Sequence, residues 1–296
     1  MYRTDSPDHD YLVLENVIKA YGTKTVLDDI DLAVHCGELC TLVGPSGCGK
    51  STLLRLLLGQ EFPTSGTITL KQEPLGYTDI RRGIVYQRYS LFPHLTVLEN
   101  VALGRRIGAG LFLSRARKRE IRDEAMEFLG RTGMADHGGK FPYELSGGMQ
   151  QRVAIAQALV MRPSILLMDE PFGALDPGTR ETMQVFLLEL WEENRMTVFF
   201  VTHDLEEAVF LGTRILVLSQ HYTDGRGPDF PRGARIVADY KLNVASTRVK
   251  ESSDFGEFVA RIRHEGFDPA YRRHVDDFNL KHPDSFQTLT EIEKRR

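Results

Sequence analysis

Gly44-Pro45-Ser46-Gly47-Cys48-Gly49-Lys50-Ser51-Thr52 lies between an apolar run at 39–43 and a leucine-rich run at 50–58. The pattern is G-x-x-x-x-G-K-S, and its flanks read as a strand feeding straight into a helix, the context in which such a loop cradles phosphate. Its glycines let main-chain N–H groups wrap phosphate oxygens, and the helix amino terminus adds its partial positive charge. Lys50 is placed to reach β- and γ-phosphates, and Ser51 to ligate Mg2+. All nine residues are therefore candidate nucleotide contacts.

Outward from the loop, apolar runs alternate with helical periodicity. Residues 12–14 and 17–18 read as an opening strand, with a turn at Tyr21-Gly22; 67–70 and 83–86 read as short strands. Residues 97–133 become helical and heavily charged. A helix opened by Ser146 runs to about Met161, followed by strand 165–168, helix 178–194, strand 197–201, helix 205–211 and strand 214–218. The alternation predicts an α/β fold with a mainly parallel sheet covered by helices. The stretch 97–160 interrupts it as an inserted helical subdomain. Residues 220–233, rich in Gly, Pro and charge, read as an exposed loop, and 234–240 as a returning strand. Beyond 241, residues 255–262 have helical spacing, and 267–296 are polar enough to predict partial disorder.

Bulk properties narrow the function. The chain has 296 residues, 42% of them hydrophobic, and a formal net charge of -4, which argues against a dedicated nucleic-acid binder. Its three cysteines, Cys36, Cys40 and Cys48, form no CxxC pair and suit a reducing compartment. Cys48 reads as a small loop residue rather than a reactive thiol. The acidic start, residues 1–10, resembles no targeting peptide, and every apolar run is far shorter than the ~20 residues that span a bilayer. Work at a membrane would need another polypeptide as anchor.

Two further motifs carry chemistry. Ile165-Leu-Leu-Met-Asp169-Glu170 is an apolar strand ending in two acids, which places Asp169 at the carboxyl edge of a parallel sheet, where ligands bind. Asp169 can hold the Mg2+ shell and Glu170 can polarise an attacking water. Leu145-Ser146-Gly147-Gly148-Met149-Gln150 is a Ser-Gly-Gly turn entering a helix, a second polar surface suited to phosphate. A chain with both surfaces can grip one ATP from two sides if two copies meet face to face.

Together these residues resemble the ATP-binding cassette (ABC) ATPases over roughly residues 10–240. The cradle resembles Walker A, Met168-Asp169-Glu170 falls on Walker B, and 145–150 matches the LSGGQ signature with Met149 in place of its Gln. Gln157 is a second departure, standing where many relatives carry Arg. The resemblance implies that Ser146 and Gly148, with Gly147 and Gln150 beside them, meet the γ-phosphate held by the opposite subunit. It implies that Tyr21 stacks on adenine, that Gln87 senses Mg2+ and the attacking water, and that His203 contacts the γ-phosphate. Ala174-Leu175-Asp176 fits the D-loop. The implied catalytic set is Glu170, His203, Gln87 and Lys50; the implied Mg2+ set is Ser51, Gln87 and Asp169.

The expected protein is then an ATP-hydrolysing transporter subunit that pairs with a second copy of itself, drives separate transmembrane permease subunits, and sits peripherally on the cytoplasmic face of the inner membrane. Segments 42–66 and 85–104 resemble importers of the nitrate, sulfonate and taurine group, which use a periplasmic solute-binding protein; the tail resembles a subset handling urea- or guanidine-like solutes. Aromatic residues within 86–95 could receive the permease's coupling helix, and the charge run 114–122 reads as a solvated helix face. An exporter ATPase or a soluble cluster-assembly ATPase remain alternatives. The resemblance implies a P-loop ATPase domain over 10–240, its mainly parallel core carrying an antiparallel β subdomain and a helical subdomain over about 97–160, followed by a partly helical extension over 241–296.

Overall fold

The computed structural model describes residues 11–87, 90–110, 113–227, 232–242 and 253–274. The chain divides into two compact units, one formed by Met1–Tyr77 with Phe200–Arg296 and the other by Thr78–Phe199.

The first unit opens with β1 (Leu12–Tyr21) and β2 (Lys24–Val34), joined by the turn at Gly22 and paired antiparallel from Leu12↔Val34 to Tyr21↔Lys24. Strand β2 was not expected from the sequence. Its run KTVLDDIDLAV places acids among apolar residues, and its register with β1 shifts three times, which blurs the period-2 alternation. β3 (Leu39–Val43) is buried throughout and leads through the glycine loop into α1 (Lys50–Leu58). β4 (Ser65–Leu70) and β5 (Glu73–Pro74) complete an antiparallel sheet of order β2-β1-β4-β5.

The second unit begins with β6 (Arg82–Val85) and continues through α2 (Val97–Gly108), α3 (Arg115–Arg131) and α4 (Gly147–Leu159). Thr96 and Glu99 close a reciprocal capping box on α2, while Ser114 and Ser146 cap α3 and α4. The charged helix α3 buries only Ile121, Ala125, Phe128 and Leu129, so the run 114–122 faces mostly solvent. β7 (Ile165–Asp169) pairs parallel with β6, then α5 (Pro177–Asn194) and β8 (Thr197–Val201) lead back to the first unit.

There α6 (Leu205–Leu211) precedes β9 (Arg214–Ser219), which runs parallel to β3. β10 (Tyr222–Thr223) and β11 (Arg235–Lys241) follow, β11 antiparallel to β9. The segment 220–233 was expected as an exposed loop. Within its described residues Tyr222 is instead 1% exposed and Arg232 is tied to Asp224, because buried ion pairs replace the apolar contacts that a hydropathy reading looks for. α7 (Ser253–Phe267) buries Val259 and Ile262 in a core shared with Val209, Val217 and Val237, and β12 (Arg273–His274) pairs with β10. The sequence-based expectation of disorder beyond 274 lies outside the described residues.

Arg214 at the start of β9 is 1% exposed and binds Asp239 through two nitrogens, at 2.9 and 2.6 Å, with Glu38 at 3.0 Å and the Ala33 carbonyl at 2.7 Å. Removing one partner of so buried a pair costs about 3–5 kcal/mol.

Candidate nucleotide site

The phosphate loop is shaped by main chain. A Cβ on Gly44 would sit 2.0 Å from the Leu218 carbonyl oxygen, so β9 approaches closer than any side chain allows. Gly49 holds φ 110° and has the Val26 and Leu27 side chains within 3.0 Å of where a Cβ would stand. This same Gly49 caps α1 without a side-chain hydrogen bond, and no acid lies in the first turn. The amino end of α1 thus carries no side-chain cap, an arrangement in which phosphate oxygens can serve as acceptors for its first amides.

Lys50 is 8% exposed and donates to the carbonyls of Gly44 at 2.7 Å and Pro45 at 2.9 Å. Its ammonium is held over the loop, so positive charge is organised where phosphates would lie. Burial pushes the Cys48 thiol up despite the nearby Lys50 charge, so this cysteine remains a neutral filler under the loop. Ser51 is exposed at the second helical position and Thr52 is buried.

Tyr21 ends β1 and is 44% exposed. Its hydroxyl donates to Glu61, which also pairs with Lys19 at 3.1 Å and Arg55 at 2.8 Å. Arg55 in turn donates to the Thr52 hydroxyl at 3.1 Å, linking the ring's anchor to the phosphate loop. Burial pushes the Glu61 carboxyl up, but the hydrogen bonds from Tyr21 and Lys19 and the Arg55 charge outweigh it and hold the group below its usual range. The role of Glu61 was missed in the sequence because its partners lie up to 42 positions away and no spacing rule joins them.

His203 is exposed between two fixed points. The Thr202 amide donates to the Leu42 carbonyl at 3.3 Å, its hydroxyl bonds Glu207 at 2.6 Å, and Asp204 caps α6 by accepting from the amides of Glu206 and Glu207. The imidazole therefore projects from a backbone with little freedom.

In the second unit Asp169 ends β7, and Glu170 follows it with φ 45°. A glutamate in this left-handed region is strained by of the order of 1–3 kcal/mol, a cost that clusters at functional sites. Gln87 donates to the Glu170 carboxylate at 3.1 Å, bringing together two residues 83 positions apart. Gln151 adds a support that the sequence did not reveal: its amide donates to the Tyr86 carbonyl at 3.3 Å and ties α4 to the residue before Gln87.

Ser146 caps α4, its Oγ accepting from the Met149 amide at 3.3 Å, which leaves its O–H as a donor. Gln150 donates back to the Leu145 carbonyl at 3.1 Å. A Cβ on Gly148 would meet the Ala174 carbonyl oxygen at 3.3 Å, so the turn at 147–148 and the segment 174–176 lie side by side. Asp176 caps α5, and its hydrogen bonds from Thr179 hold its carboxyl below the usual range. In the 86–95 stretch Arg88 and Tyr89 lie outside the described residues. Phe92 is 44% exposed, and fully buried Asn100 fixes its backbone, accepting from its amide at 2.7 Å and donating to its carbonyl at 3.1 Å.

The donor chemistry of each unit suits part of such a ligand: in the first, the Lys50 ammonium and a glycine loop without a side-chain cap for phosphates and the Ser51 hydroxyl for a hard cation; in the second, the oxygens of Asp169 and Gln87 for such a cation. Among the described residues no group of three or more His, Cys, Asp or Glu could hold a metal without such help.

These features define a nucleotide-binding P-loop protein. Residues 27–173 match the family model described as ABC transporter, and the chain belongs to that family. It is 41% identical to an aliphatic sulfonates import ATP-binding protein of Burkholderia ambifaria over 86% of this chain and 71% of that protein. It is 46% identical to a spermidine/putrescine import ATP-binding protein of Marinobacter nauticus over 91% of this chain and 69% of that one. Among solved structures, the dimeric cassette MJ0796 in a post-hydrolysis state with ADP and Pi matches with a TM-score of 0.67 and 33% identity, over 79% of this chain and 99% of that one. The chain is an ABC ATPase with the P-loop fold expected from its sequence.

Proposed function

We propose that this ATPase powers an importer: two copies close on two ATP molecules, and closure moves a separate permease. The observation carrying the hydrolytic half is the Glu170 carboxylate, held on a left-handed backbone and hydrogen-bonded by Gln87. In this reading Lys50 and the amides of 47–52 neutralise the phosphates, and Glu170 takes the proton of the attacking water. His203 and, from the second copy, Ser146 and Gly148 hold the γ-phosphate as charge shifts onto the leaving group. Mg2+, held by Ser51, Asp169 and Gln87, would supply further charge neutralisation at the phosphates. Tyr21 offers its ring to adenine, braced by Glu61, and Asp176 stands where the two copies communicate.

Import, rather than export or cluster assembly, is supported by the two importer relatives, whose names point to different solutes: sulfonates and polyamines. We assign a small nitrogen- or sulfur-containing solute, delivered by a periplasmic binding protein, with this subunit peripheral on the cytoplasmic face. No described helix is long and apolar enough to cross a membrane, which fits an ATPase that borrows its anchor from permease subunits. The exposed, rigidly held Phe92 is the surface we assign to the permease.

Purification in mild detergent tests this directly. A hydrophobic permease should accompany the chain, and Phe92→Ala should release it while leaving basal ATP hydrolysis in place. A chain that purifies alone but with full solute-independent turnover would point to one of the soluble alternatives.

A further inference from the structure

The strand behind the phosphate loop is locked in place by side chains from much later in the sequence. Val26 and Leu27 are the residues that crowd Gly49. The next residue, Asp28, is 4% exposed and takes two hydrogen bonds from Arg226, at 3.1 and 2.6 Å, and one from the Tyr222 hydroxyl at 3.0 Å. Arg226 is itself fixed by Asp224 at 2.5 Å, and Asp224 also binds Arg232 at 3.1 Å. Main chain reinforces the lock: Asp28 donates to the Ala234 carbonyl at 3.0 Å, and Ala234 donates to the Val26 carbonyl at 2.8 Å. Arg235 pairs with Asp29, whose φ of 57° is left-handed.

Tyr222 joins this lock to the C-terminal helix. Its ring lies in one core with Val259 and Ile262 of α7, and β10 pairs with β12 through Tyr222↔Arg273 and Thr223↔His274. A continuous set of contacts therefore runs from α7 through Tyr222, Asp28 and Val26–Leu27 to Gly49.

We infer that Asp28 is a positioning residue for the phosphate loop, held by a latch of Tyr222 and Arg226, and that docking of α7 and ATP affinity are coupled through it. The inference rests on the reading of 44–52 as the ATP site. Lose the latch, and Val26–Leu27 can retreat from Gly49; the loop then samples shapes that hold phosphate less well. Linkage requires the converse, so bound ATP must steady α7. Because the latch holds the strand behind Gly49 and no residue assigned to the chemical step, it acts on binding and leaves that step alone.

The test uses the full chain and three substitutions: Arg226→Ala, Arg226→Lys and the milder Tyr222→Phe. Arg226→Ala should weaken ATP–Mg2+ binding roughly fivefold to tenfold, within the usual range of coupling between sites, raising KM with kcat unchanged. Arg226→Lys keeps the charge but loses the two-pronged bond, so it should recover only part of the affinity, and Tyr222→Phe should give a smaller loss. Hydrogen exchange supplies a readout that needs no nucleotide: amides of 47–52 should exchange faster in Arg226→Ala than in the parent. Added ATP should slow exchange across α7 in the parent and much less in Arg226→Ala. A variant that melts earlier yet keeps parental ATP affinity and loop exchange would make the latch merely structural and overturn the inference. So would ATP that leaves α7 exchange unchanged in the parent. A parent that binds no ATP would instead defeat the reading of the loop, while its 47–52 exchange still decides whether the latch positions it.

Discussion

The phosphate loop and the latch behind it lie in the same compact unit, yet they are built by opposite means. The loop is main chain: glycines where Leu218 and Val26 come too close for a Cβ, and helix amides left without a cap. The latch is side chain, with Asp28, Tyr222, Asp224 and Arg226 joined across as many as 198 positions. Main-chain devices demand fixed residue types at fixed spacing and so leave a motif; side-chain pairs of opposite charge leave none. The carboxylate proposed as general base shares something of both, since Glu170 sits in a motif but accepts a hydrogen bond from a distant Gln87.

The strongest way to sharpen this contrast is to remove chemistry and keep shape. Glu170→Gln retains the backbone and the hydrogen-bonding oxygen, so ATP should still bind while steady-state hydrolysis falls about 10²–10⁴-fold, the usual worth of a general base. Phosphate release checks this, and near-normal turnover would remove Glu170 from its role. Next comes a purely structural pair. Asp239→Asn takes from buried Arg214 the carboxylate it binds through two nitrogens, leaving Glu38 as counter-charge, and should cost about 3 kcal/mol, read as a lower denaturant midpoint. A loss of only a few tenths would mean that Glu38 and the Ala33 carbonyl suffice for the guanidinium.

How much could be read in advance follows the same division. The strand–loop–helix around Lys50, the capped helix at Ser146 and the strand ending at Asp169 were all legible, because glycines, a cap residue and an unbroken apolar run each constrain the backbone locally. Strand β2 was not legible, since its acids at 28, 29 and 31 serve distant partners rather than a solvent face: Arg226, Arg235 and the Asn16 amide. Nor was the buried state of Tyr222, which sits among Gly, Pro and charged residues that ordinarily mark a surface loop.

Smaller effects probe the bracing side chains. Glu61→Gln keeps an acceptor for the Tyr21 hydroxyl but discards the charge that holds Lys19 and Arg55. ATP KM should rise about two- to fivefold with kcat unchanged, in line with a partly exposed charge cluster, whereas a fall in kcat alone would place Glu61 elsewhere in the cycle. The smallest effect is acid sensitivity of the latch. Burial pushes the Asp224 carboxyl up, but its bonds from Arg226 and Arg232 prevail and bring it to about 2. A carboxylate lowered in the folded state stabilises above its unfolded pKa of about 3.9. That contribution disappears as the pH falls toward 2. Asp224→Asn should therefore narrow its stability gap to the parent between pH 4 and 2, and a gap constant through that window would show that Asp224 titrates outside the latch.

Joint holding of ATP by two copies is tested most directly by sedimentation of the Glu170→Gln chain with and without ATP–Mg2+. We expect a shift from the mass of one chain to that of two on adding nucleotide, abolished when Ser146 is also replaced by Arg. A single-chain mass at saturating ATP, with permease present as well as absent, would contradict it.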